Sequence, residues 1–137
     1  EHGISSEVWS VTSYGELRRE GLEHERSRRL NPEISEEPYV SRCFGDETPT
    51  VATSDYICSV PEMIQRWIGG RYIVLGTDGF GRSDTREALR SFFEIDTNSI
   101  VVASISALEQ EGTLPSGTVE KELEKRNLNK ERIDKTE

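Results

Sequence analysis

Residues 7–12 (EVWSVT) alternate apolar and polar positions and are rich in β-favouring side chains, which predicts a strand. Ser13-Tyr14-Gly15-Glu16 then reads as a capping box, opening a helix to about Leu30 with a thin apolar stripe of Tyr14, Leu17, Leu22 and Leu30. Ahead of both, the glycine of Glu1-His2-Gly3-Ile4 suggests the tail of a helix ending at Gly3. Residues 31–38 are polar and proline-bounded, a loop; 39–44 predict a helical turn, and Gly45-Asp46 another turn. Residues 50–54 (TVATS) predict a short buried strand. Pro61 suits a first helical turn, and Met63, Ile64, Trp67 and Ile68 have the spacing of a short amphipathic helix stopped by Gly69-Gly70. A strand at 72–75 follows. Asp84-Thr85-Arg86-Glu87 is an acidic capping box for a helix with Leu89, Phe92 and Phe93 facing inward. Asp96 caps the next helix, lined by Val101, Ile105 and Leu108 up to Gly112, and a charged helix spans about 118–126.

Short apolar strands alternating with helices predict an α/β fold with a parallel sheet covered on both faces. Only about three strands are found where such a sheet has five or six, so the pattern reads as part of a domain. At 137 residues, 33% hydrophobic, there is room for one modest core and one globular unit. Seventeen Lys and Arg against 26 Asp and Glu give a net charge of −9, which opposes nucleic acid and anionic membrane as partners. No run approaches the roughly 20 apolar residues of a membrane span, and the N-terminus shows no signal segment, so a cytoplasmic protein is expected. Cys43 and Cys58 lack metal-ligand spacing, and His2 and His24 are too far apart to suggest a histidine site.

The stretch YIVLGTDGFGRSDTR (residues 72–86) raises one chemical possibility. Gly76 to Ser83 fits G-x-x-x-x-G-K-[ST], a phosphate loop, with Arg82 where lysine belongs. Asp84 would occupy the amides at the helix start, and Asp78 adds a second negative charge inside the loop, so an anion would meet repulsion. The expectation is structural: a turn made by Gly76, Gly79 and Gly81, fixed by a charge cluster of Asp78, Arg82, Asp84 and Arg86, with Asp84 as the helix cap. The first helix carries nine charged residues between Glu16 and Arg29, with Glu25 and Arg29 at four-residue spacing. Its charges read either as a solvated face or as partner charges at a subunit interface.

The same loop carries a resemblance. LGTDGFGRSDTREALRSFFEID (residues 75–96) is similar to the C-terminal, transketolase-like domain of the pyruvate-decarboxylating component of bacterial pyruvate dehydrogenase complexes, homodimeric type. VWSVTSYGELRREGLEHER (8–26) and VATSDY (51–56) resemble that family's successive blocks in the same order, so the likeness spans roughly residues 1–112. It implies a three-layer α/β/α sandwich with a five-stranded mixed sheet, here a partial domain over 1–128 with upstream strands absent, and a flexible tail over 129–137. The strand edges at 8–12 and 50–54 are then expected to lie open until a partner chain fills the gap.

The resemblance further implies a parent oxidoreductase that uses thiamine diphosphate and magnesium, decarboxylates pyruvate, and acetylates the lipoyl group of a dihydrolipoyl acetyltransferase core. Gly45-Asp46-Glu47 is only a faint echo of the family's Gly-Asp-Gly cofactor segment, and no asparagine lies near 72–75. No catalytic, cofactor or metal residue is therefore expected in this segment, which would be inactive alone. Its implied role is to brace the parent homodimer and the remainder of the parent chain, with Glu25, Arg26, Asp55 and Tyr56 in the matched blocks as candidate interface residues. The alternative is a stand-alone acidic interaction module of the same fold, which the mass of the native protein would discriminate.

Overall fold

The computed structural model describes residues 2–128. Helix α1 (Tyr14–Leu30) starts where the capping box placed it: the Ser13 hydroxyl accepts the Glu16 N–H at 3.1 Å, while the Glu16 carboxylate pairs with Arg19 at 2.9 Å. Gly21 is its buried residue, and a Cβ there would stand 2.6 Å from two ring carbons of Trp67. That contact seats α1 on the core formed by Val40, Ile64 and Trp67, which Tyr14, Leu17, Phe44, Ile68 and Tyr72 enclose. Each fully buried aliphatic side chain here contributes about 1.5–3 kcal/mol.

Helix α2 (Tyr39–Phe44) supplies Val40. Pro38 gives α2 no side-chain cap, and the Glu20 carboxylate of α1 accepts the Tyr39 N–H instead, at 3.1 and 3.2 Å to its two oxygens. Strand β1 (Thr50–Thr53) pairs parallel with β2 (Tyr72–Leu75), Thr50 opposite Tyr72 and Thr53 opposite Leu75. The Ser54 amide still bonds Leu75 O at 3.0 Å, which continues the ladder one residue beyond the strand. Tyr72 is half-buried and donates its hydroxyl to Pro61 O at 3.0 Å; burial first, then the neighbouring Tyr14, raises its pKa well above that of a free tyrosine.

Three expectations change here. Residues 7–12 form no strand: they run unpaired, Val8 is 95% exposed, and Trp9 packs edge-on against Phe44 with centroids 5.2 Å apart. A strand is defined by its ladder, and no neighbour among the described residues offers one. The helix expected through Met63 and Ile68 is broken into α3 (Ser59–Glu62) and a 3₁₀ turn (Gln65–Trp67). Pro61, Ile64 and Trp67 are buried at a period of three, which the tighter 3₁₀ repeat places on one line. Glu25 does not turn to Arg29 along α1 but to Arg66, at 3.4 Å.

Helix α4 (Arg86–Phe92) is capped by Thr85, whose hydroxyl accepts the Ala88 N–H at 3.3 Å. Asp84, expected in that role, instead accepts the N–H of its neighbour Thr85 at 2.8 Å. The helix therefore begins one residue later than the acidic capping box implied. Phe93 is buried, with Leu89 and Phe92 half-buried. Asp96 caps α5 (Thr97–Gln110) as expected, accepting from the Ser99 amide at 2.9 Å and its hydroxyl at 2.7 Å. Helix α5 packs on both strands and on α6 (Thr118–Lys125), burying Ala103, Ile105 and Ala107 while Val101 and Leu108 stay half-buried. The tail expected over 129–137 lies outside the described residues. Among the described residues no helix is long and apolar enough to cross a membrane.

Candidate functional site at the carboxyl ends of the strands

Both parallel strands end in loops that are bonded to each other. Residues 54–58 follow β1 and residues 76–85 follow β2. The Thr77 N–H donates to Tyr56 O at 3.0 Å and the Thr77 hydroxyl to Asp55 O at 2.9 Å. Asp78 Oδ1 accepts the Cys58 N–H at 2.9 Å. Cys58 is the N-cap position of α3, which has no side-chain cap of its own, so a carboxylate from the second loop stands where a local cap would.

Gly76 makes this approach possible. A Cβ there would meet Tyr56 O at 2.7 Å, the Cys58 nitrogen at 2.9 Å and Cys58 Sγ at 3.0 Å. Gly79 adopts φ 110°, open to glycine and strained for any other residue. At Gly81 nothing lies within 4 Å of where a Cβ would stand, so close packing does not require a glycine there. Arg82 lies 4.6 Å from the Phe92 ring centroid, a cation–π distance, with its Nε 4.0 Å from Asp84 Oδ2. Arg86 opens α4 and is exposed. Of the four charged residues expected together, Arg82 and Asp84 are thus side by side, while Asp78 reaches across to Cys58.

The candidate interface residues fall in two places. Asp55 and Tyr56 lie on the β1–α3 loop and are exposed, their carbonyls held by Thr77. Glu25 and Arg26 lie on α1: Glu25 meets Arg66, which stacks over Trp67 at 5.6 Å, and Arg26 meets Glu23 at 3.6 Å. Sequence reasoning missed Thr77, Ile57 and Phe80. Thr77 shows its role only through a bond to a residue 22 positions away. Ile57 and Phe80 could have been found as large apolar residues inside loop segments.

Beside β1 a shallow cleft of about 640 Å³ is lined by Asp55, Glu87, Asp96 and, as the one cation among its lining residues, Arg90. The Asp96 carboxylate is already engaged by Ser99. Cys43 and Cys58 form no disulfide, and among the described residues no three His, Cys, Asp or Glu side chains are gathered to hold a metal. The arrangement is one of mutual bracing between two loops, with apolar side chains projecting from them.

Comparison with known proteins places this geometry. The family model described as the transketolase-like C-terminal domain matches residues 1–96, ending at the residue that caps α5. The chain is 42% identical over 135 residues to the pyruvate dehydrogenase E1 component of Pseudomonas aeruginosa, covering 96% of this chain and 15% of that protein. It is 45% identical over 113 residues to the protein of the same name from Mycolicibacterium smegmatis, covering 81% of this chain and 12% of that protein. With that of Escherichia coli K12 it shares 38% over 135 residues, 97% of this chain and 15% of the relative. The chain thus spans about a seventh of the length of these relatives, and its α/β fold with a parallel strand pair belongs to the transketolase-like C-terminal domain family.

Proposed function

We propose that this chain is the C-terminal bracing part of a thiamine-diphosphate-dependent, acetyl-transferring pyruvate dehydrogenase component, a cytoplasmic homodimer that decarboxylates pyruvate and acetylates a lipoyl group on a dihydrolipoyl acetyltransferase core. The observation that carries this is the likeness to proteins named pyruvate dehydrogenase E1 component over 96–97% of the chain at 38–42% identity. The chemistry of that parent then belongs to the other six-sevenths of its length.

The loop geometry supports a bracing role over a catalytic one. Its charged groups serve one another and the backbone: Asp78 accepts from the Cys58 amide, Asp84 from the Thr85 amide, and Arg82 lies over Phe92. A diphosphate fits this loop poorly, because at the start of α4 the Thr85 amide already donates to Asp84 and the Ala88 amide to the Thr85 hydroxyl, and the Asp84 carboxylate adds negative charge there. On this reading Gly76, Asp78, Gly79, Gly81, Arg82, Asp84 and Arg86 form a structural turn, thiamine diphosphate and magnesium are held outside this segment, and Asp55, Tyr56, Glu25 and Arg26 face the rest of the parent.

The test has two arms. The parent polypeptide is expected to decarboxylate pyruvate with thiamine diphosphate and magnesium, and calorimetric titration of the 137-residue chain with the same pair is expected to show no heat of binding. A parent without the reaction removes the assignment; micromolar binding by the segment alone removes the bracing reading.

A further inference from the structure

We propose that α6 is a latch for residues 2–9, helix and segment being held to each other through Glu122 and released together. Residues 2–9 carry no regular structure, and side chains near both ends fix them. The His2 ring nitrogen Nε2 lies 3.0 Å from Glu122 Oε1 on α6, and Trp9 packs edge-on against Phe44, the last residue of α2. Phe44 encloses the core of Val40, Ile64 and Trp67, whereas α6 packs on α5. The segment therefore ties the α5–α6 pair to the core beneath α1 and α2. Helix α6 also lies outside residues 1–96, the part matched by the transketolase-like family model, so the latch joins that region to a helix beyond it.

Glu122 is the only charged side chain that is buried among the described residues. A carboxylate leaves water at low cost only where charged donors replace it. Arg126 Nε donates to Oε2 at 3.0 Å while its Nη1 donates to Asn98 Oδ1 of α5 at 2.8 Å, and Lys125 Nζ stands 3.8 Å from Oε1, beyond hydrogen-bond distance. Arg126 and Lys125 move with α6, and Asn98 belongs to the helix it packs on. His2 is the partner from outside the pair, and it is the group that satisfies Oε1. Withdrawing His2 leaves a buried carboxylate oxygen short of a donor, which water supplies once α6 lifts from α5. Lifting α6 in turn carries the carboxylate away from His2 and frees residues 2–9 at that end. The coupling is a binding free energy shared by the two elements, so it acts equally in both directions.

The experiment is limited proteolysis of the full-length polypeptide with a glutamyl endopeptidase, read by mass spectrometry after Glu7 in the segment and after the exposed Glu120 and Glu124 of α6. The cleavage rate of a folded segment tracks how much of it is detached. His2→Ala is expected to speed cleavage in α6 several-fold, and Glu122→Ala to speed cleavage after Glu7 by a similar factor. The double variant should be no faster at either place than the faster single variant, because both substitutions remove the same contact. Cleavage after the exposed Glu23 of α1 should stay at the unsubstituted rate throughout. His2→Gln, whose side-chain amide can still donate to Oε1, should return the α6 rate towards the unsubstituted one, and this arm decides the matter if Glu122→Ala does not fold. The proposal is overturned if each single variant loosens only its own element, if the two effects add in the double variant, if His2→Gln cleaves like His2→Ala, or if cleavage after Glu23 rises in parallel.

Discussion

Asp78 caps, through space, the helix that begins after Cys58: its Oδ1 accepts the Cys58 N–H at 2.9 Å across 20 positions of sequence. The same device recurs. Helices α2, α3 and α6 have no cap from their own N-cap side chains, and each receives a carboxylate from elsewhere, Glu20 at Tyr39, Asp78 at Cys58 and Glu109 at Gly117 and Val119. Part of the acidic surplus of the chain is thus spent on helix starts, where a negative charge meets the positive end of the helix dipole. Replacing Asp78 with alanine should cost about 1 kcal/mol, the worth of an N-cap, and lower the melting temperature by roughly 3–5 °C for a domain of this size. Asp78→Asn, which keeps an oxygen acceptor, should recover most of that in the same thermal melt.

At the start of α4 the structure assigns the cap to Thr85, so two neighbouring substitutions should behave differently. Thr85→Ala removes the acceptor of the Ala88 N–H and should cost about 1 kcal/mol in urea unfolding. Asp84→Ala removes only a bond to the adjacent amide and a 4.0 Å contact with Arg82, both exposed, and should cost a few tenths of that. Equal losses from the two variants, or the larger loss at Asp84, would return the cap to Asp84.

What could be read from the sequence follows the range over which each interaction acts. Ser13 and Asp96 were legible as caps because a local cap and its amide lie three residues apart. The strands β1 and β2 were legible as short apolar runs between turns. The carboxylate caps on α2, α3 and α6 were not, because donor and acceptor lie 8 to 20 positions apart. Residues 7–12 carry β-favouring side chains yet no ladder, since propensity describes what a pleated surface accepts and a strand also needs a neighbour. In the candidate site the glycines and charged residues of the turn could be named from the sequence. Their cross-bracing to Asp55, Tyr56 and Cys58 arises only in the folded chain, between residues 20 and 22 positions apart in the bonds of Asp78 and of the Thr77 hydroxyl.

Gly76→Ala should be the most damaging single change in the braced loops. The added methyl would meet backbone atoms of Tyr56 and Cys58 at 2.7 and 2.9 Å, and backbone held by hydrogen bonds cannot swing aside as a side-chain tip can. Overpacking of this kind costs about 1–3 kcal/mol. Equilibrium unfolding in urea is the measurement, and Gly81→Ala is the control, because nothing lies within 4 Å of a Cβ there. A Gly76 variant as stable as the Gly81 variant would show that the two loops are not tightly apposed.

The last prediction concerns acid. Glu109 accepts from the Gly117 amide at 2.9 Å and the Val119 amide at 2.8 Å, and these backbone bonds, Val119 first, hold its pKa below the usual carboxylate range. Glu122 is lowered as well, chiefly by the His2 ring nitrogen at 3.0 Å and then by Arg126, whose Nε donates to it at 3.0 Å. Burial works the other way, since only 5% of the Glu122 side chain is exposed, and the bonds outweigh it. For both groups the folded pKa is below the unfolded one, so the unfolded chain takes up protons first as the pH falls. Their stabilisation is therefore fully present above the ordinary glutamate value of 4.5 and is lost as pH drops through the folded values. Melting temperature should hold level with respect to these two groups near neutrality and fall below about pH 4.5, with the α5–α6 pair loosening as its two carboxylates protonate. Glu109→Gln keeps the size of the side chain but removes its charge, so its melting temperature should be lower than that of the unsubstituted chain at pH 7 and approach it at pH 3. A constant gap between the two across that range would show that the Glu109 charge, as opposed to its shape, contributes nothing to holding α6.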